Sequence, residues 1–161
     1  MHSLKLDIFK AFHSDWALLT AGTPDCYNTM TISWGGLGTL WGKSVATVYV
    51  RPSRYTYDFM EKNDFFTVSF YPDAYKEDLK LLGTKSGRDG DKVAETSLSP
   101  VPAGESTTFD QAKITLLCRK LYGQDLDPNA IPQDILEKQY GNATPHKMYI
   151  GEVIAVLEQE V

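Results

Sequence analysis

The sequence predicts a mainly β protein whose strands form a closed or partly closed antiparallel barrel with helical insertions. Segments with strand patterning clearly outnumber segments with helical patterning. The two kinds of segment do not alternate regularly along the chain, and a parallel doubly wound sheet requires such alternation. An antiparallel barrel interrupted by helices therefore fits the order of elements better.

Strand patterning dominates the first half of the chain. Met30 and Ile32 alternate with hydroxyl-bearing residues, which is the pattern of a half-buried strand. An apolar run at 16–22 precedes them and closes in a turn that contains glycine and proline. The glycine-rich segment 35–38 is expected to interrupt regular structure. The predicted strands lie at 28–33, 44–50 and 65–71.

Two helices are predicted after the second and third of these strands. Ser53 is the expected N-cap of a helix over 54–62, because a serine hydroxyl accepts a hydrogen bond from a free amide of the first turn. The other helix is expected to begin near Asp73, to bury leucines, and to loosen at Gly83.

The second half of the chain is predicted to contain long irregular segments. Residues 84–104 are rich in Gly, Ser, Pro and charge, so mostly loop is expected there, with a short helix near 91–95. Residues 127–145 are predicted to form a surface excursion with one helical turn near Ile135. The last two strands are predicted at 112–121 and 148–157.

Composition limits the class of protein. The 161 residues suffice for a real core, so one domain over 1–161 is expected. The formal net charge of −5 disfavours a nucleic-acid partner, because non-specific affinity for a phosphate backbone needs surplus Lys and Arg. No segment approaches the roughly 20 apolar residues of a membrane span, and no secretory signal is visible. We therefore expect a cytoplasmic protein with no membrane partner.

The two cysteines do not indicate a metal site. Cys26 and Cys118 are far apart, with no CxxC motif and no zinc-ligand spacing. In a reducing cytoplasm, two buried or free thiols fit better than a disulfide. Cys26 is expected to be a small buried filler.

Two segments offer groups that bind a phosphate. Residues 51–56 place hydroxyls and two arginines at the start of the predicted helix, where free amides and the helix dipole favour negative charge. Residues 85–92 add cations, and Gly87 allows close approach of backbone amides. Each segment alone is more typical of a helix cap or a solvated charged loop. Their occurrence together with the strand at 28–33 favours a phosphate-bearing ligand.

The strand at 28–33 offers a second kind of surface. Thr31 and Ser33 lie on its polar face, and a strand edge can pair with the carbonyl and NH groups of a flat ring. Trp34 is placed to lie against or beside such a ring. The alternative is that Trp34 and Trp41 fill a core around the glycine-rich bend, and for Trp41 we expect that role.

His146 is the one catalytic candidate. It is the only histidine in the second half of the chain and lies near a predicted strand start. It is suited to hydrogen-bond a ligand or substrate, and a surface or structurally satisfied histidine fits the sequence about as well. His2 and His13, near the N-terminus, are not expected to be catalytic.

The succession of these segments resembles the flavin reductase-like, FMN-binding split-barrel family, of which flavoredoxin is a member. The segments 118–122 and 146–153 are similar to the family as well, so the resemblance covers nearly the whole chain in order. The matching motifs are Asn28-Thr29-Met30-Thr31 with Ser33-Trp34-Gly35, Arg51-Pro52-Ser53-Arg54-Tyr55-Thr56, and Ser86-Gly87-Arg88-Asp89 with Asp91-Lys92.

The resemblance implies a Greek-key split β-barrel that forms a homodimer and binds FMN in a groove near the subunit interface. Residues 28–34 would line the isoalloxazine and ribityl parts, and the two cationic segments would face the phosphate. The candidate cofactor-binding residues are Asn28, Thr29, Met30, Thr31, Ser33, Trp34, Arg51, Ser53, Arg54, Tyr55, Thr56, Ser86, Gly87, Arg88 and Lys92. The sequence departs from the family at Leu82, where relatives often carry a cysteine, and at Lys43-Ser44, which replaces an expected proline.

The resemblance leaves the direction of electron flow open. One hypothesis is an oxidoreductase in which bound FMN takes a hydride from NADH or NADPH and serves flavin or another small acceptor. That hydride transfer needs no acid or base side chain, so the protein need not contain a catalytic residue of that kind. The second hypothesis is a non-catalytic FMN carrier that exchanges electrons with a protein partner. A weaker third is a split-barrel protein with another cofactor or none.

Overall fold

A computed structural model describes residues 2–160, and within this range the chain forms nine β-strands. Seven of them build one antiparallel sheet, and the other two form a separate hairpin. The strands are β1 (Ala17–Thr23), β2 (Cys26–Ile32), β3 (Gly35–Leu40), β4 (Lys43–Val50), β5 (Phe65–Phe70), β6 (Pro100–Ala103), β7 (Ser106–Phe109), β8 (Ile114–Asp125) and β9 (Lys147–Glu158).

The described range contains four α-helices, three of which interrupt the strands, as the fold prediction requires. The helix predicted at 54–62 is confirmed, as are the one near Asp73, which begins as a 3-10 turn, and the helical turn near Ile135. None of these helices is long and apolar enough to cross a membrane. They are α1 (Ile8–Lys10, continued by a π-helical turn at Ala11–Asp15), α2 (Tyr55–Lys62), α3 (Lys76–Thr84) and α4 (Gln133–Gln139).

The strand order of the large sheet is β2-β1-β5-β8-β9-β4-β3. The two longest strands, β8 and β9, pair with each other near its centre. Strands β2 and β3 are the two edges, so each keeps one row of backbone groups that no other strand of the sheet pairs. The prediction of a mainly β protein with helical insertions is confirmed.

The sheet separates two apolar clusters. Leu18 and Leu19 are adjacent in β1 and fully buried, yet they belong to different clusters. Successive strand residues point to opposite faces of a sheet, which explains this division. The cluster around Leu19 includes Phe66 of β5, and the cluster around Leu18 includes Phe109 of the hairpin and Leu82 of α3.

Hydrogen bonds to α2 and α3 fix the edge strand β2. The side-chain amide of Asn28 donates to Thr56 Oγ1 in α2 at 2.8 Å. The hydroxyl of Thr31 donates to the Leu79 carbonyl in α3. Residues 28 and 31 lie on opposite faces of the strand, so β2 is held on both faces while its outer edge has no strand partner in the described chain.

Two strand regions differ from the sequence prediction. The glycine-rich segment at 35–38 does not interrupt regular structure, because β3 pairs with β4 over its whole length and this ladder outweighs the low strand propensity of glycine. The hairpin of β6 and β7 lies partly in the segment expected to be loop. Its prolines, Pro100 and Pro102, are tolerated because a two-stranded sheet leaves half of its backbone amides unpaired.

Ser53 is not the N-cap of α2, so that prediction is wrong. The amide of Arg54 donates to the Arg51 carbonyl at 3.0 Å, which closes a turn through Pro52 and Ser53. The turn delays the helix by one residue. Arg54 therefore takes the N-cap position, without a side-chain capping bond, and α2 begins at Tyr55.

Candidate functional site

Two cavities lie along β2, and Arg54 lines both of them. The first, called the aromatic cavity, has a volume of about 180 Å³. The second, called the cationic cavity, has a volume of about 290 Å³. The aromatic cavity is lined by Met30, Thr31, Ile32, Ser33, Trp34, Tyr49, Arg51, Arg54 and His146. The cationic cavity is lined by Asn28, Ser53, Arg54, Tyr55, Thr56, Gly83, Thr84, Lys85, Ser86, Gly87, Arg88 and Lys92.

The cationic cavity holds four basic side chains, of which only two are paired with carboxylates. Lys85 and Arg88 have carboxylate oxygens at 2.5 and 3.5 Å. Within residues 2–160, no carboxylate forms an ion pair with Arg54 or Lys92. Burial, with the nearby Arg51 guanidinium, lowers the pKa of Arg54. The cavity therefore carries positive charge that the described chain does not neutralise.

Lys92 is a buried ammonium group with a donor to spare. The residue is 5% exposed, and Nζ donates to the carbonyls of Leu82 and Lys85, each at 3.0 Å. An ammonium has three donors, so one remains for a ligand. Burial lowers the pKa of Lys92 to about 8, and repulsion from Arg54 adds to the effect. A bound anion would favour the charged amine and oppose both influences.

The loop after α3 closes on β2 because it contains a glycine. A Cβ added at Gly87 would overlap the side-chain oxygen of Asn28. The Arg88 amide donates to Ser86 Oγ at 3.2 Å, and Arg88 Nη1 donates to the Ser53 carbonyl at 2.9 Å. The first bond lies within the loop, and the second holds the loop against the turn that precedes α2, where free helical amides favour an anion.

The aromatic cavity combines a free strand edge with flat side chains and two arginines. Trp34 is 44% exposed, and its ring centre lies 5.1 Å from that of His146. Arg51 and Arg54 line the same space. The unpaired backbone groups of β2 can donate to and accept from the polar edge of a ring, while Trp34 offers an apolar face.

His146 is buried beside these arginines. Tyr140 Oη lies 2.6 Å from its Nδ1. Burial lowers the pKa of His146 to about 4, and repulsion from Arg51 and Arg54 adds to the effect. The imidazole is therefore neutral at pH 7, with Nε2 available for a molecule in the aromatic cavity.

All the candidate cofactor-binding residues except Thr29 line one of the two cavities. Thr29 is fully buried, and its hydroxyl lies 2.8 Å from that of Thr20 in β1. Its side chain is therefore hydrogen-bonded within the sheet and does not reach either cavity. The hydroxyl of Thr31 is also engaged, by the carbonyl of Leu79, although Thr31 lines the aromatic cavity.

Several residues that line the cavities were not among the predicted ones. Tyr49 lies in the predicted strand 44–50, which leads directly into the candidate residue Arg51. This closeness in sequence could have identified Tyr49 as a lining residue. Gly83 and Thr84 directly precede the predicted cationic segment 85–92 and could have been found in the same way. Ile32 belongs to segment 28–34, which the resemblance places along the ring, but it was not among the candidate residues; it is both buried and part of the cavity wall.

Two residues that were expected to be buried are exposed. Trp41 is 63% exposed in the turn between β3 and β4, and Cys26 is exposed at the start of β2. Both stand where an edge strand meets a tight turn, which the core does not reach. Cys118 is a buried free thiol, and burial raises its pKa. Within residues 2–160 no His, Cys, Asp and Glu side chains cluster as metal ligands would.

The chain belongs to the family described as flavin reductase-like domain, whose model matches residues 9–160. No curated protein sequence matches it at a significant level.

Solved structures share the fold. An FMN-binding protein from Thermus thermophilus with bound p-hydroxybenzaldehyde aligns with a TM-score of 0.72 and 20% identity, over 99% of this chain and 83% of the other. Flavoredoxin of Desulfovibrio vulgaris aligns with a TM-score of 0.71 and 21% identity, over 99% and 77%. A Shewanella frigidimarina protein with a split barrel domain aligns with a TM-score of 0.71 and 13% identity, over 91% and 67%. The fold is therefore the split β-barrel of flavin reductase-like proteins, as the sequence resemblance implied.

Proposed function

We propose that the protein binds FMN along β2 and acts as an oxidoreductase that draws electrons from NADH or NADPH. One observation carries this proposal: the side chain of Arg54 joins an aromatic cavity to a cationic cavity whose charge the described chain does not neutralise. FMN has the complementary layout, because a ribityl chain separates its flat ring from its dianionic phosphate. The family of the chain and the FMN-binding protein with the same fold support this choice.

The residues present fit the two ends of FMN. Arg54, Arg88 and Lys92 would hold the phosphate together with the first amides of α2, because charged donors and a helix N-terminus both favour a phosphate. The edge of β2 would pair with the polar side of the ring, and Trp34 would pack against or beside it. The flavin, when bound, supplies the redox chemistry, while these residues bind and orient it and tune its environment.

FMN titration of the purified protein tests this proposal. We expect a yellow holoprotein whose absorbance spectrum is that of a flavin, with the released cofactor identified as FMN by mass. Arg54→Ala should weaken FMN binding about 10- to 100-fold, because a hydrogen bond to a charged group contributes roughly 1.5–3 kcal/mol.

Arg119→Ala is the matched control for Arg54→Ala. Arg119 lies on β8, is paired with Glu152 and lines neither cavity. Its removal should leave FMN affinity unchanged. Equal FMN affinity in the wild type and both variants, or a protein that does not bind FMN at all, would contradict the proposal.

A non-catalytic FMN carrier is the second candidate, and the openness of the aromatic cavity favours it. Trp34 lines the cavity and is nearly half exposed, so a partner protein could approach a ring held there. Stopped-flow absorbance separates the two functions. Bleaching of bound FMN by NADH or NADPH supports the reductase. Failure of both nucleotides, with rapid bleaching by a reduced ferredoxin, supports the carrier.

We also propose that the protein is a homodimer. Phe9 is 88% exposed and Trp41 is 63% exposed, which leaves large apolar side chains for an interface between two copies. Sedimentation velocity across a range of concentrations measures the oligomeric state directly. A monomer at every concentration would contradict the proposed dimer. The proposal of FMN binding would be unaffected, because the FMN titration tests it separately.

A further inference from the structure

The excursion between β8 and β9 returns to the aromatic cavity. The amide of Leu126 donates to the His146 carbonyl at 3.0 Å and closes the excursion at its base. Inside it, α4 ends where the amides of Tyr140 and Gly141 both donate to the Leu136 carbonyl, at 3.0 and 3.1 Å. Gly141 has a φ of +56°, which suits glycine at a helix end. This ending fixes the position of Tyr140.

Tyr140 contacts both an arginine and the histidine of the aromatic cavity. Its ring centre is 5.4 Å from that of His146, and Tyr140 Oη is 2.6 Å from His146 Nδ1. The Arg51 guanidinium lies 5.3 Å from the centre of the Tyr140 ring. Arg51 Nη2 also donates to the Gln139 carbonyl at 3.0 Å. Two contacts thus attach the excursion to the cavity. The Tyr140 side chain binds His146, and the Arg51 side chain binds the backbone of Gln139.

The hydrogen bond between Tyr140 and His146 has two possible directions. In one, the phenol donates to Nδ1, and the imidazole proton resides on Nε2. In the other, Nδ1–H donates to the phenol, whose own proton then needs a second acceptor. Within residues 2–160 no further hydrogen-bond partner of Tyr140 Oη is present. Among the described residues, only the first direction gives the phenol proton a protein acceptor, so the first is favoured.

We propose that Tyr140 is a positioning residue that holds His146 in the Nε2–H tautomer, so that a neutral donor faces the aromatic cavity. This inference rests on the proposed function for the ligand, which would be the electron-rich polar edge of the flavin ring. An Nε2–H donor adds a directed hydrogen bond beside two arginine charges. The opposite tautomer would present a lone pair to the same edge and repel its acceptors.

Nitrogen-15 NMR of the protein without FMN reads the tautomer directly. The chain has three histidines, and His146→Gln identifies the signal of the third. We expect an unprotonated Nδ1 and a protonated Nε2 in the wild type at pH 7. In Tyr140→Phe, which keeps the ring but removes the phenol oxygen, the Nδ1–H form should gain population. Tyr122→Phe, on β8 and outside both cavities, should leave the His146 signals unchanged.

FMN binding supplies the second readout. Tyr140→Phe should weaken FMN binding about 3- to 10-fold, and His146→Gln should bind more tightly than His146→Leu because the glutamine amide restores a donor. A protonated Nδ1 in the wild type would overturn the proposal, whatever the variants do. If the wild type does not bind FMN, the proposed function fails, while the NMR result still decides the role of Tyr140.

Discussion

Lys92 makes ligand affinity depend on pH. Its pKa of about 8 means that the free protein loses this ammonium proton as the pH rises through that value. A phosphate monoester stays dianionic there, because its second pKa is near 6. FMN affinity should therefore fall above pH 8 by up to tenfold per pH unit, in FMN titrations from pH 7 to pH 9.5.

The variant Lys92→Met should bind FMN more weakly at pH 7 and show no such decline. Because Lys92 also donates to two backbone carbonyls, the thermal unfolding of the variant must be measured alongside. A folded Lys92→Met protein with the wild-type pH profile would assign the pH dependence to another group.

His146 should lower acid stability. An unfolded histidine takes up a proton near pH 6.5, whereas the buried His146 takes one up only near pH 4. The folded-state pKa is depressed, so its contribution to the free energy of unfolding falls as the pH drops from about 6.5 toward 4. The wild type should lose up to about 2 kcal/mol more than His146→Gln between pH 7 and pH 5. Urea denaturation at both pH values measures this; equal losses would contradict it.

At the level of elements, the loop after α3 depends on a single small residue. Gly87→Ala should push the loop away from Asn28 and weaken FMN binding about tenfold, because the overlap with its side chain must be relieved. Thermal stability should change little, since the affected segment lies at the surface. FMN titration and thermal unfolding check both statements. Gly38→Ala, where an added Cβ meets nothing within 4 Å, is the control.

The parts of the fold and site that the sequence predicted are those specified by neighbouring residues. Strand β4 leads through Arg51 and Pro52 into α2, so two candidate ligands and a helix start appear together in one segment. Strand β2 was predicted from its own alternation. Segments 51–56 and 86–92 could likewise be recognised as cationic from their own residues, although the sequence does not show that the two segments lie side by side.

The parts that escaped prediction depend on contacts distant in sequence. β3 is a strand only because β4 pairs with its glycines. The hairpin of β6 and β7 is held from outside, by the bond from Thr67 Oγ1 to the Thr107 carbonyl at 2.6 Å. Tyr140 sits in an excursion with no strand pattern, and its link to the site appears only when α4 is folded. The conformation of these segments is determined by tertiary packing rather than by local propensity.

For the whole molecule, the tight centre of the sheet limits what β9 can accept. A Cβ at Gly151 would lie 2.5 Å from the Phe66 ring and 2.9 Å from the Cβ of Cys118. Gly151→Ala should therefore lower the free energy of unfolding by about 1–3 kcal/mol, as overpacking does. Because Gly151 lines neither cavity, the folded fraction should bind FMN as the wild type does. Chemical denaturation measures the free energy of unfolding, and FMN titration measures the affinity of the folded protein. Gly36→Ala is the control, because an added Cβ there meets nothing within 4 Å.

The position of Trp34 gives the molecule an internal optical reporter. Trp16 lies under the ammonium of Lys76, which is 3.6 Å from its ring centre, and Trp41 stands in a solvent-exposed turn. Neither lines the two cavities, whereas Trp34 forms part of the aromatic cavity wall. Indole emission responds to groups in contact with the ring, so Trp34 is the one of the three tryptophans that a molecule in either cavity can contact. The unlabelled protein can thus report occupancy of its own site by fluorescence.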